Sequence, residues 1–147
     1  MRRNIIINAD DLGLSPGVNQ AILKAHNLGF LSHASLMANT EYFEEAVSEI
    51  IPNCKNLKIG VHVNLTCAKA LYVENILAEN GLLKNDFVKL LFKRKTKKVL
   101  DSLENEIELQ ILKIKDKGIE IAHIDGHEHV YIIPSINKIV RKLDKKH

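Results

Sequence analysis

Residues 4–29 of the 147-residue chain, NIIINADDLGLSPGVNQAILKAHNLG, predict a β-strand followed by an α-helix. The β-branched run at residues 4–8 is typical of a strand that is buried on both faces, and a polar loop follows it. Ser15 is a helix N-cap, Pro16 suits the first helical turn, and apolar residues keep helical spacing until Gly29. The chain therefore opens with a βα unit.

Further strands and helices alternate along the rest of the chain. The predicted strands are residues 33–37, 58–65 and 119–124, and the predicted helices run from Thr40 to Pro52, from Leu100 to Gly118 and from Pro134 to Leu143. Residues 66–86 predict a loop with a little helix and a turn at Asn80-Gly81. This alternation predicts an α/β fold of parallel βα units, either an open layer or a barrel, although four strands are too few to close a (β/α) barrel.

Length and composition predict a globular protein with a single domain, residues 1–147. The net charge of +3 is too small to indicate a nucleic-acid partner, and the composition is not that of a membrane protein. Cys54 and Cys67 lack a metal-site spacing and no secretory leader is visible, so we expect reduced thiols in a cytoplasmic protein. Because the last predicted helix would normally lead into another parallel strand, we expect the amino-terminal half of a longer barrel.

Reactive side chains lie in or directly after three of the predicted strands. Asp10 and Asp11 follow the first strand, His62 lies in the third, and HIDGHEH at residues 123–129 follows the fourth. Such strand ends meet at one edge of a parallel sheet. Two imidazoles and one carboxylate suit Zn²⁺, Mn²⁺, Co²⁺ or Ni²⁺ and leave positions open for water and substrate. A second carboxylate that is not a ligand could accept a proton, so Asp10 and Asp11 can divide these two roles.

Each of these signals also has an ordinary structural explanation. An Asp-Asp pair after a strand often forms an Asx turn, and a lone histidine such as His62 is commonly a hydrogen-bonded core or surface residue. The HIDGHEH segment is more specific, because three histidines and two acids are hard to place in a core. Spacing does not choose among His123, His127 and His129, because Gly126 indicates that the strand does not persist through the segment.

Four stretches occur in a recognisable order. They are NADDLGLS at residues 8–15, SLMAN at 35–39, GVHVNLT at 60–66 and HIDGHEHV at 123–130. Together they resemble the YdjC-like carbohydrate (chitooligosaccharide) deacetylases over essentially the whole chain. The resemblance implies a deformed (β/α) barrel related to the polysaccharide deacetylases, and removal of an acetyl group from an N-acetylated sugar with the help of one divalent metal ion.

The resemblance also assigns roles to individual positions. The implied metal ligands are Asp11, His62 and His127, the implied general base is Asp10, and the implied neighbours that support the ligands or contact the substrate are Asp125 and His129. We expect Mg²⁺ or Zn²⁺, with Mn²⁺, Co²⁺ and Ni²⁺ as alternatives. The expected partner is an N-acetylated sugar, without nucleic acid or membrane, and exposed sheet edges would promote a homo-oligomer.

The chain departs from the family pattern at several points. Tyr131 stands where many relatives have another histidine, and Leu12 replaces a common phenylalanine. Relatives are longer and supply further barrel strands and a late His-Pro segment expected to protonate the leaving amine. The lack of that segment makes an inactive remnant that binds metal or sugar one alternative to the deacetylase. A phosphoesterase is another, because clustered histidines and aspartates also bind two metal ions in such enzymes.

Overall fold

A computed structural model describes residues 5–147. Its main elements share the order predicted from the sequence, with a small hairpin and one short helix added between the third and fourth strands of the main sheet. The strands are β1 (Asn8–Leu12), β2 (His33–Leu36), β3 (Lys58–Val63), β4 (Ala78–Glu79), β5 (Leu82–Leu83) and β6 (Ile121–Gly126), and the α-helices are α1 (Pro16–Asn27), α2 (Phe43–Glu45), α3 (Phe87–Phe92), α4 (Lys97–Lys115) and α5 (Pro134–Lys146).

The four longer strands form one parallel sheet in the order β1-β2-β3-β6. Strands that follow one another in the chain are neighbours in the sheet, apart from the inserted β4-β5 hairpin. This sequential order with helical crossovers is that of a (β/α) barrel rather than a doubly wound sheet. The prediction of an α/β fold with parallel βα units and a partial barrel is confirmed.

The first strand begins later than predicted. Residues 4–8 were expected to form a strand buried on both faces, but β1 starts at Asn8, and Asn4 lies outside the described residues. Ile5 and Ile6 are 79% and 68% exposed. The reason is register, because the residue pairs of β1 and β2 begin at Asn8, while Ile7 meets this ladder only at its end, where its carbonyl accepts from the backbone N–H groups of Ser32 and His33. The Asp-Asp pair therefore lies inside the strand and not in a loop after it.

The helix predicted from Thr40 to Pro52 is present but irregular. The α-helical part, α2, continues as a π-helical turn at Ala46–Ile50 and a 3₁₀ turn at Ile51–Asn53. Thr40, the predicted first residue of this helix, would have to act as its N-cap, and this is wrong, because the Thr40 hydroxyl donates to the carbonyl of Met37 at 3.0 Å instead of accepting from a helical N–H. By contrast, Ser15 caps α1 as predicted, and its Oγ accepts from the backbone N–H of Val18.

Residues 66–86 contain strands where a little helix was expected. Asn80 and Gly81 have φ values of 50° and 76°, the geometry of a tight hairpin turn, so the predicted turn is confirmed and joins β4 to β5. The helix α3 was not predicted from the sequence. The strand predicted at 119–124 is β6, shifted by two residues because Ile121 is the first residue that pairs with β3.

The two faces of the main sheet differ in chemistry. One face packs with the helices into an apolar core that includes the fully buried Leu36, Val61 and Ile107. Alternation along the strands puts the polar side chains of β2, β3 and β6 on the opposite face, as predicted for His62. No helix within residues 5–147 combines the length and apolar character needed to cross a membrane.

Candidate metal centre

Asp11, His62 and His127 come together at the carboxyl edge of the sheet. They lie in β1, in β3 and in a 3₁₀ segment, His127–Ile132, that follows β6. One carboxylate oxygen, Asp11 Oδ1, is 3.1 Å from His62 Nε2 and 2.7 Å from His127 Nδ1. The three candidate ligand atoms all lie within 4.8 Å of one another. Of the histidines that spacing could not separate, the structure places His127 in this group.

A backbone irregularity in β1 brings both neighbouring carboxylates to the same imidazole. Consecutive side chains of a regular strand point to opposite faces. Between Ala9 and Leu12 the register with β2 shifts, and Asp11 has a φ of 65° in the left-handed region. Asp11 forms one potential metal-binding group with His62 and His127, and Asp10 forms a second one with His62 and Asp125. The irregularity explains how an adjacent Asp-Asp pair can serve a single site.

The carboxylates around His62 make the group suitable for a cation. Both ring nitrogens of His62 face carboxylates, since Nδ1 is 2.7 Å from Asp125 Oδ1 and Nε2 is 3.1 Å from Asp11 Oδ1. A neutral imidazole has a single N–H, so one of the two contacts lacks a hydrogen unless a proton or a metal ion is shared there. With Nδ1–H directed at Asp125, the lone pair of Nε2 faces Asp11. Two imidazole nitrogens and a carboxylate oxygen fit a divalent transition metal or Zn²⁺.

Access to the group is one-sided. The side chain of His62 is 3% exposed, whereas that of Asp11 is 31% exposed. His62 is therefore fixed from within the sheet, and the face that carries Asp11 is open. Such an arrangement leaves coordination positions for water and a substrate.

Asp10 lies beside this group and is exposed. Its Oδ1 accepts a 2.7 Å hydrogen bond from the side-chain amide of Asn8. The group of Asp10, His62 and Asp125 shares His62 with the first group. Because Nδ1 of His62 already bonds to Asp125, the geometry favours one ion bound through Nε2 over two ions bound at once.

Asp125 contacts His62 at Nδ1, the ring nitrogen that does not face Asp11. Its Oδ1 faces His62 Nδ1 at 2.7 Å, and its Oδ2 accepts a 2.6 Å hydrogen bond from the hydroxyl of Ser35. Burial raises the pKa of Asp125, but the contacts with His123, His62 and Ser35 outweigh burial and hold that pKa well below its usual range. Asp125 is therefore an ionised acceptor that can keep the proton of His62 on Nδ1.

His129 lies outside both groups. It is exposed, has a φ of 55° and makes an edge-to-face contact with Tyr131, with ring centroids 6.4 Å apart. Together with Glu128, whose φ is 51°, it turns the chain away from β6. A role of His129 in substrate contact stays a prediction.

Cys67 is a neighbour of the site that the sequence analysis did not identify. Interaction with Cys67, and then with Asp11, raises the pKa of His127 to about 9, although burial opposes the shift. Interaction with His127 in turn lowers the pKa of the Cys67 thiol. No spacing rule pairs these residues, since they lie on different segments, and both cysteines are free thiols as expected.

The raised pKa of His127 predicts a pH dependence in the metal-free protein. A histidine whose folded pKa lies above its ordinary 6.5 stabilises the fold fully below pH 6.5, and that contribution is lost as pH rises through about 9. The lowered pKa of the Cys67 thiol acts on stability in the opposite direction, so the test uses the Cys67→Ser variant, in which Asp11 still raises the pKa of His127. Urea unfolding of this variant in the presence of a chelator should show stability decreasing as pH rises above 6.5, and adding His127→Gln should flatten the curve. Because a metal ion must displace the proton, metal affinity should increase over the same interval. A stability that rises with pH there would contradict this prediction.

A buried polar network holds the segment that carries Cys67. Asn64 Oδ1 accepts from the backbone N–H of Cys67 at 3.2 Å, and Asn64 Nδ2 donates to the carbonyl of Cys67 at 2.8 Å. Gln110 of α4 bonds to both the N–H and the carbonyl of Asn64, at 2.9 and 2.7 Å. Gln110 also donates to the wholly buried Glu106. The side chains of Asn64, Gln110 and Glu106 thus tie α4 to the segment beside the candidate metal centre.

Glu106 is expected to be important for stability. Its carboxylate accepts from the backbone N–H groups of Leu71 and Tyr72 and from the side chain of Asn75, at 2.9 to 3.2 Å. Glu106→Ala would leave these donors unsatisfied, at about 1–3 kcal/mol for each buried group, so we expect a loss of roughly 3 kcal/mol in the free energy of unfolding. Urea denaturation measures it. The exposed Asp101→Ala on the same helix is the control and should change stability by less than about 0.5 kcal/mol.

Comparison with known proteins gives consistent matches. Residues 4–147 match the family model described as YdjC-like protein. A carbohydrate deacetylase of Brevibacillus brevis is 34% identical over 97% of this chain and 56% of its own length, and one of Halalkalibacterium halodurans is 31% identical over 95% and 61%. A crystal structure from Enterococcus faecalis, provisionally described as a cellobiose-phosphate cleavage protein, superposes with a TM-score of 0.83 at 29% identity, over 96% of this chain and 55% of that one. The chain thus spans less than two thirds of the length of each of these proteins.

Proposed function

Because this chain belongs to the YdjC-like family, we propose that it acts as a metal-dependent hydrolase that removes the acetyl group from an N-acetylated amino sugar or chitooligosaccharide. The observation that carries the proposal is the convergence of Asp11, His62 and His127, with the second carboxylate of Asp10 beside them. The carbohydrate deacetylases among the relatives support the reaction class.

In this proposal the chain's own residues have separate tasks. A divalent ion held by Asp11, His62 and His127 would supply Lewis acidity that activates water and stabilises negative charge on the acyl oxygen. Asp10 accepts the proton of the attacking water. Its carboxylate suits this task because it is exposed and Asn8 holds only one of its oxygens within the part of the chain described. Asp125 keeps a proton on Nδ1 of His62, which leaves Nε2 free to bind.

Acetate release tests the proposal. The chain is loaded in turn with Zn²⁺, Mg²⁺, Mn²⁺, Co²⁺ and Ni²⁺ and incubated with N-acetylglucosamine oligomers, with a chelated sample as the control. We expect acetate only with metal, and one bound ion per chain. Two ions per chain together with hydrolysis of phosphate esters would instead favour a phosphoesterase.

A second candidate is a chain that binds metal and sugar without turnover. It is a candidate because no described side chain at the metal-binding group has been assigned to protonate the leaving amine, and that step separates binding from turnover. One bound ion and measurable sugar binding, with no acetate released at any metal concentration, would favour this candidate over the enzyme.

Location and assembly are also proposals. Free Cys54 and Cys67 support a reducing, cytoplasmic environment. Self-association is supported by the sheet, in which β1 and β6 are each paired along one edge in the described part of the chain. Light scattering of the purified chain measures its oligomeric state, and a monomer across the micromolar range would contradict self-association.

A further inference from the structure

We propose that Ser35 and His123 position the metal ligand His62 through Asp125, and that Gly60 provides the space in which they do so. This inference rests on the proposed metal centre, because His62 is taken as a ligand. Neither Ser35 nor His123 is a candidate ligand itself. Their role would be to fix the carboxylate that in turn orients the His62 ring.

The hydroxyl of Ser35 is the centre of the arrangement. It lies 2.6 Å from Asp125 Oδ2, which can only accept, so the single hydroxyl proton is directed at Asp125. Asn8 Nδ2 donates to Ser35 Oγ at 2.9 Å. His123 Nε2 also lies 2.9 Å from Ser35 Oγ. Because the hydroxyl proton is already used, His123 must donate, which places a hydrogen on its Nε2.

This arrangement restrains both oxygens of Asp125. Oδ2 is held by Ser35 and lies 3.7 Å from His123 Nε2, while Oδ1 faces His62 Nδ1 at 2.7 Å. A carboxylate restrained on one oxygen has little freedom to rotate the other away. The His62 ring is therefore held with Nδ1–H toward Asp125 and Nε2 toward Asp11. Contacts of this kind around metal-binding histidines set ring orientation and ligand strength.

Gly60 explains how these residues can meet across the sheet. Ser35 lies in β2 and His123 in β6, and β3 lies between these two strands. Gly60 of β3 is the register partner of Ser35. A Cβ built on Gly60 would overlap the His123 ring at three of its atoms. The missing side chain allows the imidazole to cross β3 and reach the hydroxyl of Ser35.

The test compares Ser35→Ala with the matched control Ser102→Ala. Both serines are buried. Ser102 lies on α4 and outside the candidate metal-binding groups, and its hydroxyl accepts from the backbone N–H of Ile76. Two readouts are taken on the full chain: the Nδ1–H resonance of His62 in nitrogen-15 NMR of the metal-free protein, and the affinity for Co²⁺. Circular dichroism confirms that each variant is folded.

We expect Ser35→Ala to shift the His62 resonance and to weaken Co²⁺ binding by about 10–100-fold, while Ser102→Ala changes neither. Gly60→Ala displaces the His123 ring and should shift the same resonance. Unchanged resonance and affinity in a folded Ser35→Ala protein would overturn the inference. The NMR readout does not need metal or turnover, so a wild-type chain that binds no Co²⁺ would contradict the proposed function while a shifted His62 resonance still supports the positioning role.

Discussion

His62→Ala is expected to lower the affinity for Zn²⁺ or Co²⁺ by more than about a hundredfold. Changes to residues that only support a ligand typically cost 10–100-fold, and loss of the ligand should cost more. Of the three candidate ligands, only His62 lies in β3, and no neighbouring side chain of that strand belongs to the group and could take its place. Calorimetric titration of the chelator-treated chain measures the effect.

The matched control for this prediction is His26→Ala. His26 is half-buried, and its two ring nitrogens contact the backbone carbonyls of Leu31 and Lys55, at 3.0 and 2.9 Å. We expect the control to change stability without changing metal affinity. If His62→Ala binds the metal as tightly as the wild type, His62 is not a ligand, and the centre described by the geometry is wrong.

Asp10→Asn is expected to reduce acetate release by about a thousandfold while metal affinity stays within about twofold. General bases contribute typically 10²–10⁴-fold, and the amide keeps the shape of the carboxylate but cannot accept the proton in the same way. Asp11→Asn should behave differently, because it removes a charged ligand and weakens metal binding directly. The roles of the two adjacent aspartates are thus distinguished by comparing the loss of metal affinity with the loss of acetate release in each variant.

The control here is the exposed Asp116→Asn at the end of α4, which should leave both quantities unchanged. Undiminished acetate release from Asp10→Asn would exclude Asp10 as the base. Loss of metal binding in the same variant would instead make Asp10 a ligand, which is the arrangement of the second group with His62 and Asp125.

Much of the architecture could be predicted because its signals are local. The cap at Ser15, the turn at Asn80-Gly81 and the amphipathic spacing of α4 depend on residues a few positions apart. The chemical nature of the site could also be predicted, since parallel strands bring their ends to one edge whatever their exact pairing. Family resemblance then separated Asp10 from Asp11 and selected His127.

Other features depend on contacts between distant segments, which local periodicity does not encode. The start of β1 follows from its pairing with β2, and the irregularity at Asp11 that brings two consecutive carboxylates to His62 is a property of that pairing. The approach of Cys67 to His127 was likewise absent from any motif.

The candidate metal centre thus depends on both the sequence and the tertiary structure. Residue type and strand order in the sequence are enough to predict that carboxylates and imidazoles meet at the carboxyl edge of a parallel sheet. The support behind His62 required the fold itself, because a serine in β2 and a histidine in β6 can meet only where the intervening strand has no side chain, at Gly60. Such a contact depends on the register of three strands at once, and register is set by long-range packing rather than by neighbouring residues.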